Sequence, residues 1–226
     1  MRVIVGQLMN ASVWLIVLNI LQVLGHGMVM DPVNRGSMWR KGYPTPINYN
    51  DNANYCGGYA KQWMTNDGKC GVCGDDYSSK RPRDNENTGK YGTGIVVASY
   101  RRGSQVNVTL LITANHKGYF KFNICDLSGA NEKEVETEAC FDAYPLSLID
   151  GSDNYKLVSE RTGLFQVPLK LPDTLESCDR CVLRWHYTTG NNWGFCTDEN
   201  GVAQGYGALG CGPQETFRTC SDISIF

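Results

Sequence analysis

Three histidines occur in 226 residues, and two of them stand where a metal could use them. His26 closes "LQVLGH" at the end of the uncharged run "ASVWLIVLNILQVLG", which has the length of a signal-peptide core. A transmembrane helix needs about 20 apolar residues and flanking charges. This run is borderline in length, with only Arg2 before it. Val23 and Gly25 are small enough for the positions preceding a signal-peptidase cut, so cleavage is expected between Gly25 and His26. A histidine at the new N-terminus presents two donors, the free α-amine and ring Nδ1, which close a six-membered chelate. An internal histidine cannot do this, because its backbone nitrogen is tied up in an amide. His116, in "ITANHKGYF", follows the strand-like run "QVNVTLLITA" at a turn and offers a third nitrogen. Three neutral nitrogens in a flat arrangement suit Cu(II), which binds nitrogen sites tightly and favours tetragonal geometry. A free amine titrates at about 7.7–8.0. Metal binding must therefore displace a proton and weaken as pH falls.

Other groups make weaker candidates. His186 in "CVLRWHYT" alternates with Leu183 and Trp185 and shares a face with Arg184 and Thr188, so a solvated, non-ligating histidine is expected. The pairs Cys70/Cys73 and Cys178/Cys181 have zinc-like spacing but lie far apart in a chain expected to be secreted. Carboxylates are plentiful, yet a glycosidase built on two of them gives no reason for a histidine at the cut.

These residues must be held by one domain. Residues 26–226 suffice for a single well-buried unit and are too few for two comfortable ones. All ten cysteines fall within them, an even count that reads as five disulfides in a secreted, extracellular protein, with the pairing open. From Pro32 to Lys90 the chain is rich in Gly, Asn, Pro and aromatic residues and reads as long stapled loops. Its most polar part, "DDYSSKRPRDNENTGK", reads as a solvated loop. Beyond residue 92 come seven β-rich runs: "GIVVASY", "QVNVTLLITA", "GYFKFNIC", "YKLVS", "LFQVPLKL", "CVLRWHYT" and "FRTCSDISIF". They predict an all-β fold, an immunoglobulin- or fibronectin-III-like antiparallel β-sandwich. Only "NEKEVETEACFDAY" has helical character, and residues 188–213 read as a Gly-rich aromatic loop. Removing the leader leaves 20 cations against 23 anions, so neither nucleic acid nor, after cleavage, a membrane is expected as a partner; a monomer is expected. Asn107-Val108-Thr109 is an N-glycosylation sequon.

"HGMVMDPVNR", "TANH" and "FRTCSDISI" resemble the copper-dependent lytic polysaccharide monooxygenases. "GNNWGFC" and "GCGPQETFRTCSDI" make the chain most similar to auxiliary-activity family fifteen, found chiefly in invertebrates. The resemblance implies that His26 (amine and Nδ1) and His116 (Nε2) form a histidine brace for one copper per chain. It places Phe217 under the metal, where some members carry a ligating tyrosine and a phenylalanine cannot bond. Ala114 would shape the opposite axial face. Glu215, with Gln214 as its rival, would match the outer-shell residue that hydrogen-bonds copper-bound oxygen. The implied activity is oxidative cleavage at C1 or C4 of crystalline polysaccharide, chitin first and cellulose second. It would use hydrogen peroxide or dioxygen with a small-molecule or protein electron donor. Trp39, Tyr43, Trp193 and Tyr206 are candidates to stack on sugars, although burial beneath the loops is the commoner fate of such rings. The rival readings are a non-catalytic chitin-binding module, a copper carrier and a zinc hydrolase using the same two histidines.

Overall fold

The structure, a computed structural model, describes residues 26–129, 131, 133–198 and 200–226; the expected leader lies outside them. In chain order the strands and helix are β1 (His26–Asp31), β2 (Ala98–Tyr100), β3 (Gln105–Ala114), β4 (Gly118–Asp126), α1 (Glu138–Asp142), β5 (Tyr144–Leu148), β6 (Tyr155–Leu157), β7 (Gly163–Lys170), β8 (Cys178–Thr188), β9 (Trp193–Thr197), β10 (Ala203–Leu209) and β11 (Thr216–Ile225). Two short helical segments, Arg35–Lys41 and Lys61–Thr65, interrupt the long loop after β1.

Hydrogen bonding runs continuously in the order β1-β3-β7-β5-β4-β8-β11-β2, with β6 on β4. Because β5 pairs with both β7 and β4, the ladder folds over into a sandwich with β1, β3 and β7 on one side and β4, β8, β11 and β2 on the other. Alternation explains the packing. In β3, Val106, Val108, Leu110 and Ile112 point inward, and Gln105 and Asn107 point out. They meet Phe120, Phe122 and Ile124 of β4, Phe165 and Val167 of β7, and Trp185 and Tyr187 of β8 in one core. Asn107 of the sequon is thus exposed on a strand.

All ten cysteines pair, as Cys56–Cys70, Cys73–Cys220, Cys125–Cys140, Cys178–Cys181 and Cys196–Cys211. The two CxxC pairs are therefore consumed, and neither is left to bind zinc.

Several sequence expectations need correction. β1 and β5 were not among the seven runs, and residues 193–209 form a disulfide-stapled hairpin, β9–β10, within the expected loop. Only residues 98–100 of "GIVVASY" form a strand, and it pairs parallel to β11. The polar stretch 75–90 is not uniformly solvated: Arg83, Asn85, Glu86 and Asn87 are buried. Most of their polar groups are paired, with Arg83 Nη1 2.5 Å from Glu86 Oε1, Asn85 Nδ2 donating to Asp75 and Asn87 Nδ2 donating to the Glu134 carbonyl. The outer face of β8 is only partly solvated, because α1, tied to β4 by Cys125–Cys140, covers Arg184 while His186 and Thr188 stay partly exposed.

The long loop is pinned to the sandwich by a buried charge cluster. Arg35 Nε and Nη2 donate to Asp222 of β11 at 2.8 and 2.5 Å, and Nη2 lies 2.6 Å from Glu136. Burial opposes the charge on Arg35, but the two carboxylates outweigh it and hold the guanidinium more firmly protonated than usual.

Candidate metal centre

The start of β1 and the end of β3 bring the two histidines together. His26 pairs with Ala114, and His116 follows two residues later. The residue after His26 has to be small. A Cβ on Gly27 would stand 2.7 Å from Ile112 Cδ1 and 3.1 Å from Trp185. The Gly27 N–H donates to the Asn52 carbonyl at 3.0 Å, and Thr113 Oγ1 donates to the His26 carbonyl at 3.3 Å.

His116 sits in a turn fixed from several sides. Its N–H donates to the Tyr187 hydroxyl at 3.0 Å, and its carbonyl accepts from the Gly190 N–H at 2.9 Å. Asn115 Oδ1 accepts from the Lys117 N–H, and Gly118 adopts φ +86°, where a Cβ would overlap the Thr188 carbonyl. Burial, with a contribution from Glu215, pushes the Tyr187 hydroxyl well above its ordinary range and keeps it protonated.

Glu215, on the approach to β11, places Oε2 3.6 Å from His116 Nδ1, and both side chains are buried. His116 Nδ1 has no hydrogen-bond partner, and neither has Glu215 Oε1. A carboxylate beside Nδ1 favours the tautomer with its proton there, which leaves Nε2 as the lone-pair donor. The donor chemistry therefore fits a metal bound through Nε2.

Phe217 is fully buried, stacked on Tyr187 with centroids 5.7 Å apart and tilted towards the His26 ring at 6.4 Å. Ala114 is half-buried opposite His26. Gln214 is engaged elsewhere. It accepts from the Asn192 N–H and donates to the carbonyls of Asn192 and Cys211, which closes the base of the β9–β10 hairpin. The structure thus gathers His26, His116, Ala114, Glu215 and Phe217 at one end of the sandwich and sets Gln214 apart.

Tyr55 was missed by the sequence reading. Its ring lies edge-on to His26 at 6.4 Å and 6.1 Å from Phe217. It is carried on a strap whose Asn52 and Asn54 carbonyls accept from Gly27 of β1 and Arg218 of β11, and Cys56–Cys70 anchors that strap. A tyrosine in a Gly/Asn-rich loop gives no periodic signal that could have marked it.

Trp193 and Tyr206 are exposed, against the expectation of burial, and Phe195 beside Trp193 is exposed with them; Trp39 and Tyr43 are half-buried. The hairpin bearing the three exposed rings leaves β8 at Gly190, the residue bonded to the His116 carbonyl. His186 lies at 3.3 Å from Thr188 Oγ1 on the outer face of β8 and takes no part in the centre. Among the described residues, no group of three or more His, Cys, Asp or Glu side chains could hold a metal.

A family model described as "Lytic polysaccharide mono-oxygenase, cellulose-degrading" matches residues 26–223. Among solved structures, an AA15 lytic polysaccharide monooxygenase from Thermobia domestica, in the Cu(I) state, is 45% identical over 88% of this chain and 98% of its own, with a TM-score of 0.82. A chitin binding domain from Burkholderia pseudomallei (12% identity, 90% and 100% coverage, TM-score 0.53) and the catalytic domain of a Listeria monocytogenes LPMO (11%, 89% and 99%, 0.50) share the fold. No curated protein matches the chain in sequence.

Proposed function

Because this chain belongs to the lytic polysaccharide monooxygenases, copper-dependent oxidoreductases, we propose that its copper is held by His26 through amine and Nδ1 and by His116 through Nε2. The observation that carries the reading is the pairing of His26 with Ala114, which sets the first residue of β1 beside His116. The family match begins at residue 26, which supports removal of residues 1–25 and secretion of residues 26–226 as one catalytic domain. Among the described residues no helix is long and apolar enough to cross a membrane.

Bound copper supplies oxidative cleavage of glycosidic bonds, with hydrogen peroxide or dioxygen as co-substrate and an external reductant. The chain's own residues do the rest. Glu215 sets a carboxylate 3.6 Å from His116 Nδ1, while Phe217 and Tyr55 wall the His26 ring with aromatic carbon. Ala114 contributes no more than a methyl group beside His26. Trp193, Phe195 and Tyr206 offer exposed faces for stacking on a polysaccharide surface.

Chitin is the substrate proposed first, on the resemblance to auxiliary-activity family fifteen, with cellulose second, as the family description names it. Oxidation falls at C1 or C4, and a monomer suffices. Processing is part of the mechanism, so an added residue before His26 is the test. Such a variant is expected to lose tight copper binding and all oxidised products from chitin and cellulose given reductant and peroxide. Retention of both would overturn the brace. Mass spectrometry of the wild-type products separates aldonic acids from C4-oxidised ends; their absence, with strong chitin pull-down, would favour a binding module instead.

A further inference from the structure

The outer face of β4, β8 and β11 carries a second constellation, separate from the histidine pair. Lys121 and Arg218 lie directly opposite His186 on the two neighbouring strands, and Arg184 stands two residues along β8 on the same face. These four side chains line a cleft of about 440 Å³, together with Glu138, Asp142 and Asp153. Like charges gathered on adjacent strands of one face work against a sheet. Here one carboxylate serves two of the three cations: Glu138 accepts from Arg184 Nη1 at 2.7 Å and from Arg218 Nη1 at 2.5 Å. Asp142 and Asp153 are exposed at the rim.

Two donors in this floor go unused. The Arg184 side chain is 4% exposed, and its Nε is buried without an acceptor, as is Nε of Arg218. Both nitrogens are shut off from the cleft itself, so the groups it presents to a ligand are the exposed Lys121 and the partly exposed His186 and Arg218. Burial first, then Arg218, Arg184 and Lys121, push the His186 pKa well below its ordinary value, so the imidazole stays neutral. A neutral ring can still donate one hydrogen bond.

We propose that this cleft is a binding site for a small oxyanion, lying over His186 between Lys121 and Arg218. The rim carboxylates of Asp142 and Asp153 oppose an extended polyanion and restrict the ligand to one small enough to lie within the floor.

Thermal unfolding of the full chain without added metal, titrated with sulfate, phosphate or malonate against chloride at matched ionic strength, tests the site. At least one anion is expected to raise the Tm saturably and to move the His186 ring resonances. The Lys121→Met variant should weaken that anion's apparent affinity by roughly tenfold or more, as for one lost charge-assisted hydrogen bond. Lys121 is exposed, so the variant's Tm in chloride should not fall below the wild-type value, which separates lost binding from lost folding. A response to sulfate and phosphate but not malonate identifies a tetrahedral oxyanion, and a response to malonate admits carboxylates. No saturable rise with any of the three, or an equal rise in Lys121→Met, overturns the proposal.

Discussion

A buried carboxylate 3.6 Å from a buried imidazole nitrogen is costly unless it has a purpose, and Glu215 beside His116 Nδ1 is such a pair. The role proposed for it is to favour one tautomer of His116. Glu215→Gln keeps the shape and removes the charge, and we expect a loss of copper affinity of about tenfold, within the range usual for outer-shell partners of metal-ligating histidines. Competition titration against a chelator measures it; unchanged affinity would mean that the turn alone orients the ring. Phe217 and Tyr55 act differently, as carbon walls around the first imidazole. A phenylalanine at position 217 offers the centre no donor atom.

At the scale of elements, the centre depends on how closely β1 lies on β3. Gly27→Ala introduces a methyl group 2.7 Å from Ile112 Cδ1, and overpacking of this kind typically costs about 1–3 kcal/mol. The loss should appear in chemical denaturation, accompanied by weaker copper binding, because His26 precedes the displaced residue. β3, β7 and most of β4 were legible in the sequence because each has one face in the core and alternates accordingly, whereas β8 and β11, buried on both faces along most of their length, were legible as runs of β-forming residues. β1 was not: Gly27, Met28 and Val29 are all buried, so "HGMVMD" shows no period. The β9–β10 hairpin was hidden for the opposite reason, since most of its side chains are exposed and glycine interrupts any pattern. The two histidines were legible from chemistry, without geometry. Tyr55 and Tyr187 were not, since their roles arise only from a loop and a strand meeting in space.

For the molecule as a whole, the long loop after β1 is held by charge as much as by apolar contact. Arg35→Met leaves Asp222 and Glu136 buried without their cation and should destabilise the protein by about 3–5 kcal/mol, seen as a lowered Tm. Asp75 acts in the opposite sense. Burial pushes its pKa to about 6 despite hydrogen bonds from Asn85. The folded chain thus retains a proton that the unfolded chain has released, and the associated stability is present at low pH and lost as pH rises through about 6. Asp75→Asn should remove that slope, so its Tm relative to wild type rises between about pH 4 and 6 and levels off above. The Cys73–Cys220 bridge spans 147 residues of sequence and encloses His116, nearly every strand and the exposed hairpin. A protease, or a stray oxidant made at the enzyme's own surface, that cuts the chain anywhere inside this loop releases no fragment. The nicked protein should run as one band on a gel without reductant and as two with it, so the catalyst can be wounded between these cysteines and remain in one piece.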